Sequence, residues 1–206
     1  MIIGLTVVVT LLSTAISSLI GVPFGVVIGS SKFRGKKSVI RLVYTFAGIP
    51  PVIAGLLVYV FLSRKGPLGS LGLLFTPTAM VIAQVIIVTP LITGLTTASV
   101  KLKWDLMSET CTGLGLGRMK SLALLLYESR YPIISAVMTG YGRSMSEVGA
   151  VMLVGGNIQY STRVMTTAIL LETGEGNYDR ALAMGIILLS ISFLVNLILQ
   201  RFQGET

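Results

Sequence analysis

The 206-residue sequence predicts an all-α, polytopic membrane protein with five transmembrane helices. Three observations carry that prediction. Hydrophobic residues make up 53% of the chain and charged residues only 12%, far below the roughly 25% usual in soluble domains. The apolar residues lie in stretches of about 20, the length a helix needs to cross a hydrocarbon core of about 30 Å. Almost all the charges fall between those stretches.

The first span is Ile2 to Ile28, and the second Val39 to Leu62. The third runs from Thr78 to Val100, the fourth from Ile133 to Val154 and the fifth from Ala181 to Leu199. No basic segment precedes the first apolar run, so no cleaved signal peptide is expected. The abrupt opening is what a chain lacking a short N-terminal piece would show. Pro23, the pair Pro50-Pro51 and Pro90 lie in or at the ends of spans. Each frees backbone groups that neighbouring helices or water must satisfy, which predicts kinked, packed helices.

Lys and Arg set the orientation. Lys32, Arg34, Lys36, Lys37 and Arg41 follow span one. Lys101, Lys103, Arg118, Lys120 and Arg130 separate spans three and four, and Arg201 follows span five. These eleven face four on the other side, Arg64, Lys65, Arg163 and Arg180. The positive-inside rule therefore puts the N-terminus outside and the C-terminus in the cytoplasm. The chain reads as one transmembrane domain, residues 1–206, with a cytoplasmic loop at 101–132 and an external one at 155–180. Loops of that length usually carry function.

Composition also excludes chemistry. Cys111 is the only cysteine and histidine is absent, so zinc sites, disulfide frameworks and Cys/His or Ser/His/Asp catalysis lack their parts. The net charge of +8 is scattered over loops, not gathered on one polar face, so no nucleic-acid partner is expected.

Residues Ser108 to Lys120 read Ser-Glu-Thr-Cys-Thr-Gly-Leu-Gly-Leu-Gly-Arg-Met-Lys. Gly113, Gly115 and Gly117 have the wrong spacing for G-x-G-x-x-G and no preceding strand, and the G-x-x-x-x-G-K-S/T loop is missing, so nucleotide binding is not expected. Helix grammar fits better. Ser108 suits an N-cap, Glu109 suits the positive end of a helix, and the glycines permit a sharp bend or close approach by a partner. Leu116 to Tyr127 is apolar but too short to span. A short helix, a bend and a second helix at the inner membrane surface follow, shaped like a docking projection.

Glu109-Thr110-Cys111 with Gly115 resembles the E-A-A-x-x-x-G signature of importer permeases of the ATP-binding cassette class, with two small residues replacing the alanines. Tyr131-Pro132 resembles the turn that leads from this signature into the next span. Ile49-Pro50-Pro51-Val52-Ile53-Ala54-Gly55, Gly66-Pro67-Leu68-Gly69, and Arg143 to Ala150 with Gly155-Gly156-Asn157 are similar to molybdate/tungstate-type permeases. Ser146 to Met152 and Met165 to Thr173 look most like the tungstate branch. The resemblance implies a type I importer fold in the plasma membrane, a homodimeric pathway, two cytoplasmic ATPase subunits and an external substrate-binding protein. It implies that ATP is used by the partner and that this chain, surrounded by membrane lipid, binds no cofactor. It also implies that Glu109, Thr110, Cys111, Gly113, Gly115 and Gly117 couple the ATPase to the pore.

Candidate pathway residues are Pro50, Pro51, Arg143, Glu147 and Gly149. Ionisable residues within a span are costly and tend to face the interior, and four residues apart on a helix Arg143 and Glu147 can pair. They read either as a structural pair or as a gate whose arginine attracts an oxyanion. Pro50-Pro51 reads either as a packing kink or as an unwound turn beside the pathway. On the external side, Val164, Ala168 and Leu171 share a helical face with Thr166 and Glu172 elsewhere. Packing against the chain's own spans is one reading, contact with a binding protein the other. Glu172, Glu175 and Asp179 read as solvated or as partner contacts, and Gly174, Gly176 and Asn177 mark the turn into span five. Permeases for molybdate, sulfate or another small solute, and a membrane scaffold without transport, remain the alternatives.

Overall fold

The structure is a computed structural model that describes residues 1–201. Residues 202–206, which hold the predicted cytoplasmic C-terminal tip, lie outside the described residues. Among the described residues there is no strand. The helices are α1 (Ile2–Ser30), α2 (Lys36–Ala47), α3 (Pro51–Leu62), α4 (Pro77–Gly113), α5 (Arg118–Met145), α6 (Gly149–Gly155), α7 (Met165–Gly174) and α8 (Tyr178–Arg201), with a short 3-10 turn at Gly69–Leu71.

Three of them, α1, α4 and α8, are each long and apolar enough to cross a membrane, and α2 and α3 qualify only as a pair bent by 92°. Half of the apolar window of α4 is buried against 6% of that of α8, so α4 is the central post and α8 an outer helix. Leu182, Ile186, Leu189 and Phe193 of α8 are accordingly exposed, as lipid-facing side chains must be.

Between helices in lipid there is no hydrophobic drive, so close backbone approach and hydrogen bonds hold them. Gly21, Gly25 and Gly29, four apart on α1, supply that approach to α4. A Cβ added at Gly25 would lie 2.6 Å from Cβ of Thr96, and one at Gly29 2.7 Å from Cγ1 of Val100. Gly25→Ala is therefore expected to destabilise the protein by about 1–3 kcal/mol. Thermal unfolding in detergent checks it, with Gly4→Ala, where nothing lies within 4 Å, remaining at the parent value.

Two apolar clusters sit at opposite ends of this post. One joins Val9, Val58, Leu62, Met80, Val154 and Val164 of α1, α3, α4, α6 and the start of α7. The other joins Val26, Val100 and Leu125, backed by Trp104 and Met107. The second end carries both basic segments, 32–41 and 101–120, which the charge count had assigned to one side.

The second span breaks at Pro50-Pro51 as expected, into two separate helices, α2 and α3. Other expectations change. The fourth span, expected at Ile133 to Val154, is split at 146–148 into α5 and α6. The loop 101–132 is almost entirely helix: α4 runs on to Gly113, so Ser108 is inside a helix and caps nothing. Tyr131-Pro132 is no turn either, since α5 passes through Pro132 unbroken. Pro23 and Pro90 likewise lie inside α1 and α4.

Candidate functional site

The break in the second span follows from local sterics. A residue before proline is pushed out of the α region, so Pro50, preceding Pro51, takes ψ 128° and ends helical continuity. Pro51 then occupies the first turn of α3, where a missing N–H costs nothing. The carbonyl of Pro50 accepts from Ile53 N at 2.9 Å, so the new helix starts at once.

The break in the fourth span has a different cause. Beyond Met145 the chain leaves the helix, and Glu147, only 3% exposed, turns its carboxylate back to cap α6. Oε1 accepts from the amide of Ala150 at 3.0 Å, and Oε2 lies 3.8 Å from the Arg143 guanidinium. The predicted pair forms, but across the end of α5 and not along one helical face. Arg143 is about a third exposed, its side chain at 36%, so the contact is partly screened.

The two breaks meet. A Cβ added at Gly149, the first residue of α6, would lie 2.8 Å from Cγ2 of Val52, the second residue of α3. One turn further along, a Cβ at Gly55 would lie 2.6 Å from Cα of Ala150. The start of α7 joins them: Oγ1 of Thr166 donates to the carbonyl of Glu147 at 3.1 Å. The opening turns of α3, α6 and α7 therefore converge on residues 146–149. Pro51, Glu147 and Gly149 are brought together here, with Arg143 beside them.

Below this junction lies a polar knot that hydropathy reading missed. The hydroxyls of Ser13 and Ser144 each donate to Oε1 of Gln84, at 2.7 and 2.9 Å, and Gln84 Nε2 donates to the Ser144 carbonyl at 3.0 Å. All three side chains are buried, tying α1, α4 and the end of α5 into one point. An amide inside an apolar span was the available signal, since such groups must find partners.

At the basic end, Gly113 to Gly117 form the turn between α4 and α5. Gly115 has φ +66°. Its N–H donates to the Thr112 carbonyl at 3.0 Å, and that of Leu116 to the Cys111 carbonyl at 2.9 Å. This is a Schellman cap, in which the left-handed residue is glycine because a Cβ is penalised there. Gly115 thus has a structural duty. Gly113 and Gly117 do not: neither has positive φ, and nothing lies within 4 Å of an added Cβ at either. Glu109 and Thr110 point to solvent, whereas Cys111 is buried in its own chain and is not part of the exposed face. Glu109, Gly113, Leu116 and Arg118 line an open groove of about 800 Å³ with Ser30 and Lys32.

The turn at Gly113 to Gly117 and the junction of breaks are connected by one rod. α5 is continuous over 28 residues, about 42 Å at 1.5 Å per residue, from Arg118 to Met145. Sequence reading had divided it at Pro132. On the far side Val164 to Ala168 are buried, as packing against the chain's own spans requires. Thr166, off the face shared by Val164 and Ala168, is buried with them. Glu172 accepts from Asn177 Nδ2 at 3.0 Å and lies 3.9 Å from Arg180, closing the turn into α8. Among the described residues no three or more His, Cys, Asp or Glu side chains group as a metal site would need.

The comparisons with known proteins agree with this architecture. The tungstate uptake system permease protein TupB of Peptoclostridium acidaminophilum is 42% identical over 99% of this chain and 90% of its own length. A probable anion ABC transporter permease protein of Haloferax volcanii is 38% identical over 94% and 86%. TupB of Campylobacter jejuni is 36% identical over 84% and 72%. Residues 21–204 match the model of the binding-protein-dependent transport system inner membrane component family, and the chain belongs to that family of transport permeases.

Proposed function

We propose that this chain is the membrane subunit of an ATP-driven tungstate importer, crossing the plasma membrane five times with its N-terminus outside, and that two copies form the pathway between them. The second and fourth crossings are the broken ones. The observation that carries the reading is the meeting of those breaks, in a chain 42% identical over nearly its whole length to a tungstate uptake permease. Discontinuous helices at membrane depth are tolerated where they line a cavity or are buried in protein, and their positive N-terminal ends favour anions. Those of α3, α6 and α7 gather at the junction, beside Arg143.

The mechanism follows from α5. ATPase subunits below the membrane engage the exposed face at Glu109, Thr110, Gly113 and Gly117, and their closure moves the Arg118 end of the rod. The far end carries Ser144, Met145 and the Glu147 break, so the junction shifts with it. Gly115 and Cys111 serve this face indirectly, by fixing the end of α4. A pathway that bound the oxyanion tightly would slow its release, so selection falls to an external binding protein.

Uptake of tungstate into vesicles holding the permease, its ATPase and its binding protein tests this reading. Gly117→Trp, at a site with open space inside the chain, should leave thermal stability unchanged while lowering uptake and stimulated ATPase activity about tenfold or more, the scale of a lost 1.4 kcal/mol or more in coupling. Full coupling in that variant rejects the docking face. Uptake of molybdate or sulfate without tungstate keeps the permease and changes its cargo.

A further inference from the structure

A second groove at the basic end, adjoining the one at Glu109 through Ser30, Ser31, Lys32 and Trp104, is unused by the transport reading. It has a volume of about 500 Å³ and lies between the end of α1, the start of α2 and the 101–105 stretch of α4. Lys32, Lys37 and Lys101 line it together with Phe33, Ile40 and Trp104. Lys36 also lines it, but its ammonium is occupied, donating to the carbonyls of Gly29 and Ser31 at 2.9 Å each and so capping α1. The ion pairs among the described residues are Arg143–Glu147 and Arg180–Glu172, so Lys32, Lys37 and Lys101 have no carboxylate within 4.0 Å. Asp105 is the one acid on the lining.

From this placement we infer that the groove holds the phosphate headgroup of an anionic phospholipid of the adjacent leaflet, gripped by Lys32, Lys37 and Lys101, with an acyl chain leaving past Ile40. Three unpaired cations around one acid call for an anion. The apolar half of the lining calls for a ligand that is greasy at its other end. A free phosphate satisfies only the first demand. The exposed Leu42, Tyr44 and Phe46 further along α2 continue the apolar surface away from the charged end. Basic grooves between helices at the cytoplasmic surface are the setting in which anionic headgroups bind. The lipid then fastens α2 to α4 at the foot of the bent span, a position from which it can bias how freely α2 moves.

Trp104 lines the groove and is the only tryptophan of the chain, which makes it a reporter. The full chain is placed in nanodiscs of phosphatidylcholine with increasing phosphatidylglycerol, either lipid carrying brominated acyl chains, and quenching of Trp104 is read. Each lysine near a membrane surface contributes about a fivefold preference for an anionic lipid. Brominated phosphatidylglycerol should therefore quench at a mole fraction at least about fivefold lower than brominated phosphatidylcholine. The double variant Lys32→Gln, Lys101→Gln should lose that preference, while Lys103→Gln, outside the groove, keeps it. Equal quenching by both lipids in the unaltered protein overturns the inference, whatever the fold of the variants. Abolition of the preference by millimolar inorganic phosphate overturns it in favour of a free-anion site.

Discussion

Gly55→Ala is expected to unfold more readily by about 1–3 kcal/mol and to lose most of its uptake, although the change adds a single methyl group. Alanine is the better helix former by up to about 1 kcal/mol, so any net loss measures the clash and not the propensity. The clash is with backbone: the new Cβ would lie 2.6 Å from Cα of Ala150 and 3.3 Å from its carbonyl oxygen, atoms with no rotamer to yield. Helices α3 and α6 must part. Their spacing holds the Pro50-Pro51 break against Gly149, so a small separation moves the whole junction. Gly142→Ala is the matched control, because nothing lies within 4 Å of its added Cβ inside α5. It should be neutral or slightly stabilising. Thermal unfolding in detergent and vesicle uptake check both. Parent-like values for Gly55→Ala would mean that α3 and α6 do not touch at this point.

Glu147 separates two effects that a single alanine variant would mix. Its carboxylate caps α6 through Ala150 N at 3.0 Å and faces Arg143 at 3.8 Å. The pair is partly exposed on the arginine side, which limits it to about 1 kcal/mol or less. A buried amide left without its acceptor costs more, about 1–3 kcal/mol. Glu147→Gln keeps a carbonyl for that amide and should stay within about 1 kcal/mol of the parent. Glu147→Ala should fall well below it. Thermal unfolding of the two variants side by side gives the answer. If glutamine proves as harmful as alanine, the charge and not the cap holds this break. Uptake adds a second reading: Arg143→Gln with normal stability and lost uptake places the arginine in the pathway.

Much of the chain was legible as sequence because the relevant physics is local or additive. Hydropathy sums over a window, so α1 and α8 were found within a few residues of their bounds and α4 at its start, whereas its polar extension from Lys101 to Gly113 was not. The turn at Gly174 to Asn177 was legible from its residue types, and Gly176 takes φ +82° there. The two prolines announced a break. Its 92° angle was not legible, since the angle depends on α3 finding α6 to pack against. The division of span four was hidden for a similar reason. Residues 133–154 carry no charge apart from Arg143 and Glu147, and nothing in their pattern says that the Glu147 carboxylate caps a new helix. The continuity of α5 through Pro132 was missed because proline usually marks an end. In a packed membrane helix its freed carbonyl can be accommodated.

The sequence by itself determined that the chain lives in a membrane, which residues are basic and gathered at one end, and where α4 must turn into α5. Each of those depends on composition, charge or one glycine's backbone angle. Only the tertiary structure decided that Val52 and Gly149, nearly a hundred positions apart, lie in contact, that Ser13, Gln84 and Ser144 share one knot, and that one rod links the turn to the junction. Such contacts require several helices to approach closely at once, and the complementarity of small residues that permits it is a property of surfaces in space and not of any single stretch of chain.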